Sequence, residues 1–363
     1  MFDQLRAWVV FATAVSLLGA NSISAQSTPS ANGEVEIQGK VLLRDGKPWI
    51  PHGFYQIAFE VAPANLARAD HPFWTTAQED YRPEEYLGMR AAGADTVRIQ
   101  IAQSGADPRS PIYDAAFLSK ALDAVRAARR TGLTVIICIQ GESHVPRVKP
   151  LDLPGDGTRR IWKKIAPDFK DDRGVIFELL NEPHLLPSPA NWIKWKAAMT
   201  KTAQVVRNEG AKNVLIADGL DSGQVLDGAP LLDDPQVAYA SHPYADQRSG
   251  QYGQTRQAWE KKFGAFAQRA PVIITEWHFG GYFCNSDTPA ATLDFLHYIE
   301  ERHIGVVVGT WDWPPTGFGN ARWGFPDAKF SSFSGLSCHQ PGYGLGRVIK
   351  TWYTTGRIPA EPE

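Results

Sequence analysis

The stretch from Gly174 to His184, GVIFELLNEPH, constrains the fold of this chain more than any other. An apolar run interrupted only by Glu178 suits a strand covered on both faces, as strands of a parallel sheet are. Pro183 has no N–H to give to a ladder, so the strand stops there and leaves Asn181 and Glu182 at its tip. Pro271 to Trp277, PVIITEW, repeats the design and ends its apolar run at Glu276. In an α/β barrel, polar residues at the carboxyl ends of buried strands carry the chemistry.

The rest of the chain fits that frame. Val35 to Trp49 reads as a hairpin turned at Asp45-Gly46. Strand patterns follow at Gly53 to Phe59, Asp95 to Ile101, Leu133 to Gln140, Val175 to Asn181, Val214 to Ala217, Val237 to Ala240, Val272 to Thr275 and Val306 to Gly309. Helical spacing separates them at Tyr81 to Ala92, Ala115 to Arg130, Arg159 to Phe169, Trp192 to Asn208, Arg256 to Gln268 and Ala290 to Arg302, with a last helix near Gly344 to Tyr353. The helix after the fifth strand is poorly marked. The expected fold is α/β, a single (β/α)8 TIM barrel with a short N-terminal β-hairpin. A doubly wound sheet would carry a glycine-rich phosphate turn after its first strand, and none is present.

A chain of 363 residues with net charge −2 has no basic excess for nucleic acid or an anionic membrane. Residues 1–25 read as a signal peptide, with an apolar run from Ala7 to Ala20 and small residues at Ser24-Ala25. Residues 26–33 read as a flexible leader, and 34–358 as the catalytic domain. With its signal removed the protein is expected to be secreted or periplasmic, free of the membrane and monomeric. Cys138 lies in an apolar run and reads as a buried thiol, while a bond between Cys284 and Cys338 is left open. No metal-ligand spacing appears, and no cofactor is expected.

The strand ends collect Arg98, Gln140, Asn181, Glu182, His242, Tyr244, Glu276 and Trp311. Two carboxyl groups facing each other across a cleft are what cleavage of a glycosidic bond requires. Glu182 and Glu276 are the candidate catalytic pair. Arg98, Gln140, Asn181, His242 and Tyr244 are candidates for binding substrate or orienting the pair, and Trp311 for stacking on a sugar ring. Glu178 reads as structural, paired with a basic residue inside the barrel.

These residues carry a resemblance. VIFELLNEPH resembles the strand-four signature of glycoside hydrolase family 5, the cellulase-like retaining (β/α)8 enzymes. Arg98, His242 with Tyr244, Glu276 and Trp311 match further family positions, and the similarity runs from about Val35 to Arg357. It implies a retaining β-glycosidase acting on a polysaccharide or oligosaccharide, with Glu182 as acid/base and Glu276 as nucleophile. An endo-β-1,4-glucanase is the leading expectation. A β-mannanase, an exo-acting β-glucosidase and an inactive sugar-binding protein are the alternatives. One position departs: the family's usual His at the end of strand three is Gln140 here, with His144 four residues further on.

Overall fold

The structure, a computed structural model, describes residues 33–70, 72–244, 254–277, 289–312 and 345–360. The described residues open with a small antiparallel sheet of Val35–Gln38 (β1), Val41–Arg44 (β2) and Lys47–Pro48 (β3). Asp45 and Gly46 both take positive φ, 51° and 72°, which is what a two-residue hairpin turn demands.

Eight parallel strands then close a barrel: His52–Gln56 (β4), Thr96–Ala102 (β5), Thr134–Gln140 (β6), Val175–Glu178 (β7), Leu215–Asp218 (β8), Val237–Ala240 (β9), Val272–Trp277 (β10) and Gly305–Val308 (β11). Neighbours follow chain order, and β11 pairs with β4 to complete the ring.

Period-two alternation sorts the side chains. On β5, Val97, Ile99 and Ile101 pack outward beneath the helices, while the polar contacts of Arg98 and Gln100 lie within the barrel. Ile136, Ile176, Ile216, Ile273 and Val307 fill the lower interior, joined from the hairpin by Val35, Ile37 and Leu42. Gln236, just before β9, bonds both the N–H and the C=O of Ile37 at 2.9 Å. The hairpin thus closes the N-terminal end, and the polar residues are left to the opposite one.

Helices cover the outside where their caps predict them. Asp114 accepts the Ala116 and Phe117 N–H groups ahead of Ala115–Arg130, and Ser188 accepts that of Asn191 ahead of Pro189–Asn208. The link from β8 to β9 departs from the expected alternation. Residues 219–236 form no helix; two small bridges, Gly219 with Gly223 and Leu220 with Val225, fold them instead. Gly219, Gly223, Gly228, Pro230 and Pro235 make a helix costly there. Leu220, Leu226 and Leu232 cover the barrel in its place.

A helix at Phe73–Asp80, inside the long loop after β4, was not expected from the sequence. Among the described residues no helix is long and apolar enough to cross a membrane. The signal and leader segments through residue 32, together with Cys284, Cys338 and the loop from 317 to 342, lie outside the described residues. Cys138 is buried and free.

Candidate active site

Arg98 is the hub of the upper barrel. It is wholly buried, and its guanidinium donates Nε to Glu178 Oε2 (2.5 Å), Nη1 to Glu276 Oε2 (2.8 Å) and Nη2 to Asn181 Oδ1 (2.6 Å). Residues 80 or more positions from Arg98 in sequence thereby meet on one rigid fork. Burial opposes the negative charge on Glu178, yet Arg98 and the Thr275 hydroxyl hold its pKa below the usual carboxylate range.

Glu276 reaches this hub through a break in strand register. Between Ile274 and Trp277 the pairing of β10 with β11 shifts. Ile274 and Trp277 both pack outward, while Thr275 and Glu276 between them both face the barrel interior. Glu276 Oε1 then accepts the Tyr244 hydroxyl at 3.0 Å, and the Tyr55 hydroxyl lies 3.2 Å from that of Tyr244.

Glu182 sits across from it, past the end of β7. Its φ is +49°, a left-handed conformation that costs a residue with a Cβ on the order of 1–3 kcal/mol. Asp218, at the tip of β8, holds it by accepting the Glu182 N–H at 3.0 Å. Its Oε1 lies 2.8 Å from Nδ1 of the buried His242. Desolvation first, then the nearby Glu276 and Glu142, push the Glu182 pKa well above the carboxylate range. One oxygen of Glu182, one of Glu276 and a ring nitrogen of His242 all lie within 4.8 Å of one another.

Both carboxylates line a cavity of about 150 Å³, with Tyr55, Glu60, Trp74 and His144 on its walls. Gln140 borders the cavity with its amide taken up by the protein. It donates to Glu60 Oε1 (2.6 Å) and accepts from Asn181 Nδ2 (3.2 Å) and the Glu142 N–H (3.1 Å). His144 does reach back. Its ring lies 4.1 Å from that of Trp74, and its Nε2 is 3.7 Å from Glu60 Oε1 and 3.9 Å from Glu142 Oε2. Burial opposes a charge on His144, but Glu60 and Glu142 outweigh it and carry its pKa up to about 9.

The family model for cellulase, glycosyl hydrolase family 5, matches residues 61–317. The chain belongs to glycosyl hydrolase family 5. A cellulase from Thermoanaerobacterium sp is 29% identical over 142 residues, 34% of this chain and 36% of the relative. An endoglucanase A from Evansella cellulosilytica is 25% identical over 201 residues, 54% of this chain and 36% of the relative. The chain spans 36% of the length of each of these two curated relatives. Among solved structures, a β-glucanase from Saccharophagus degradans in complex with cellotetraose superposes with TM-score 0.59 at 20% identity, covering 78% of this chain and 87% of that one. The catalytic domain of a Thermobifida fusca endoglucanase gives 0.63 at 16% identity, covering 89% and 98%. At these identities the likeness bears on the fold.

One of the candidate residues, Trp311, stands apart from the others. Trp311 offers no face to the cavity. Its ring is fully buried, 4.9 Å from the Phe54 ring, in the layer between strands and helices. Alternation along β11 does not continue past Val308, and Thr310 lines the cavity instead. A Cβ on Gly309 would come within 1.7 Å of the Tyr55 ring, so Tyr55 fills the space that a side chain at 309 would need. Among the described residues, Tyr55 and Trp74 line the cavity with aromatic rings. Trp311→Ala is accordingly expected to act on stability, costing about 3–5 kcal/mol in denaturant unfolding.

The charge on His144 makes a second, pH-dependent prediction. A folded-state pKa near 9 means that its stabilising contribution is full below the unfolded value of about 6.5. It is lost as pH rises from there through about 9. Urea midpoints of the native protein should fall over that window, and His144→Gln should flatten the slope.

Sequence reasoning overlooked Asp218, Glu60, Gln100 and Thr275. Asp218 carried the same signal as Glu182, a carboxylate ending an apolar run in VLIAD. His184 pairs with Glu142 at 2.6 Å and with Ser222 at 3.0 Å. Among the described residues, three groups come close enough to suggest cation binding: Glu142–Glu182–His184, Glu178–Asp218–His242 and Glu182–His242–Glu276. The first and third already contain hydrogen-bonded partners, His184 on Glu142 and His242 on Glu182, and read as proton-sharing networks.

Proposed function

We propose that residues 34–358 form the catalytic domain of an exported retaining β-glycosidase that cleaves β-1,4-glucan internally, with Glu182 as acid/base and Glu276 as nucleophile. The approach of the two carboxylates, with oxygens within 4.8 Å, carries this reading. Retaining pairs stand about 5–5.5 Å apart, whereas inverting pairs leave room for a water at about 6.5–9.5 Å. In the first step the Glu182 carboxyl gives its proton to the glycosidic oxygen. Glu276 Oε attacks the anomeric carbon from the opposite face, forming a glycosyl ester as the bond to the leaving sugar breaks. Glu182, now ionised, takes a proton from water, and the hydroxide displaces Glu276 with a second inversion.

The roles are supported by environment. Burial and Glu276 favour the protonated form of Glu182, while Arg98 and Tyr244 both donate to Glu276. The names of the relatives, cellulase and endoglucanase, and the cellotetraose bound to the Saccharophagus degradans protein favour a β-glucan. The apolar run from Ala7 to Ala20 supports export.

The test is a panel of soluble β-1,4-glucan, β-mannan and aryl β-glucosides, read by viscosity and by NMR of the first-formed anomer. A rapid fall in glucan viscosity with β product is expected. Faster attack on mannan, or release of glucose alone, would move the substrate assignment to the corresponding alternative. Binding without hydrolysis across the panel would overturn the enzymatic reading.

A further inference from the structure

Below Glu182 a single file of hydrogen bonds runs into the barrel. Glu182 Oε1 meets His242 Nδ1 at 2.8 Å, His242 Nε2 meets Thr275 Oγ1 at 2.8 Å, and Thr275 Oγ1 donates to Glu178 Oε1 at 2.6 Å. The last member fixes the direction of the rest. Glu178 is held by the Arg98 guanidinium at 2.5 Å, so it is ionised and accepts only. Thr275 has one hydroxyl proton, and Glu178 takes it. Oγ1 then has only lone pairs to offer His242, so the imidazole carries its proton on Nε2. His242 is fully buried, and desolvation lowers its pKa to about 4, so the ring is neutral and Nδ1 is bare. A bare Nδ1 beside Glu182 Oε1 forms a hydrogen bond only when Glu182 holds a proton.

We infer that Thr275 is a positioning residue that, with Glu178, fixes the tautomer of His242 and so keeps the proton of Glu182 in place. This rests on the reading of Glu182 as the proton donor. The other charged groups around the pair are Arg98, Glu142, His184, Asp218 and Glu276, and none of them presents a closer partner to His242 Nε2; Asp218 Oδ2 stands at 3.8 Å. Without the Thr275 hydroxyl, the Nε2–H has no acceptor within hydrogen-bond distance, since Asp218 Oδ2 stands at 3.8 Å and Glu178 Oε1 at 4.0 Å. The Nδ1–H tautomer takes over, donates to Glu182 and favours its ionised form.

Thr275→Val is therefore expected to move the basic limb of the kcat/KM profile down by about one pH unit, the shift that a charge-assisted hydrogen bond produces. Thr275→Ser, which restores the hydroxyl, should keep the limb of the native protein. An unmoved limb in Thr275→Val, or an equal shift in Thr275→Ser, would overturn the inference. A direct reading needs no activity and no variant at 275. The ¹⁵N spectrum of histidine-labelled native protein near neutral pH, with His242 assigned by loss of its signals in His242→Asn, should show Nε2–H and a bare Nδ1. Finding Nδ1–H or an imidazolium overturns the proposal even if glycan hydrolysis is confirmed. Finding Nε2–H supports it even if Glu182 proves not to be the proton donor.

Discussion

Glu276→Gln is expected to lower kcat on β-glucan by about 10⁴- to 10⁶-fold, the scale on which enzymes lose a covalent nucleophile. The fold should survive. Gln keeps the shape of Glu276, and Arg98 keeps its bonds to Glu178 and Asn181. An amide has no charge with which to attack the anomeric carbon, and its –NH₂ would face the Nη1 donor if misoriented. A melting temperature within a few degrees of the native value, together with this loss, separates a chemical defect from a folding one. Shortening to Glu276→Gly adds a stereochemical readout. Azide entering the vacated space attacks from the nucleophile's face and yields an α-glycosyl azide from an activated aryl β-glycoside. A β-glycosyl azide from this variant would mean that the roles of Glu276 and Glu182 are reversed.

How far the sequence could be read follows from which properties are local. Glu182 and Glu276 stood out because each ends an apolar strand, and a buried parallel strand exposes little else. The barrel followed from repeating strand and helix periods. The β8–β9 link departed because its glycines and prolines leave no helical run, which is why that helix was poorly marked. What stayed hidden depends on closure or on departures from period two. Nothing in TEW marks the shift in β10 that turns both Thr275 and Glu276 inward. Nothing in GTWDW shows that Thr310 faces the cavity while the Trp311 ring packs outward. The partnership of Arg98 with Glu178, Asn181 and Glu276 exists only once β5, β7 and β10 share a barrel.

Glu182→Ala should produce a different pattern, because the proton it supplies matters only when the leaving group needs one. Hydrolysis of the glucan is expected to slow by about 10²- to 10⁴-fold, the usual contribution of a general acid. An aryl β-glucoside with a strongly acidic phenol departs unaided, so its glycosylation rate should stay within about tenfold of native. Deglycosylation, which needs Glu182 as base, then limits turnover, and the glycosyl ester on Glu276 should accumulate and be visible by intact mass. The pH profile provides the sharpest check. In the native protein, activity falls as pH rises through the pKa of Glu182, which burial, Glu276 and Glu142 hold well above the carboxylate range. That basic limb should vanish from kcat/KM in Glu182→Ala. Azide should raise turnover and give a β-glycosyl azide, since it enters from the face that water uses. Retention of the basic limb would assign it to another group, with Tyr244, whose hydroxyl is pushed up by burial and Glu276, the next to test. Stability should not suffer in proportion. Glu182 is desolvated and protonated, so its removal takes away no charge pair and little beyond its bond to His242, and Glu182→Gly at the same φ of +49° should exceed Glu182→Ala in stability by about 1 kcal/mol. A left-handed φ held by Asp218 at a buried acid is strain that serves proton transfer rather than folding.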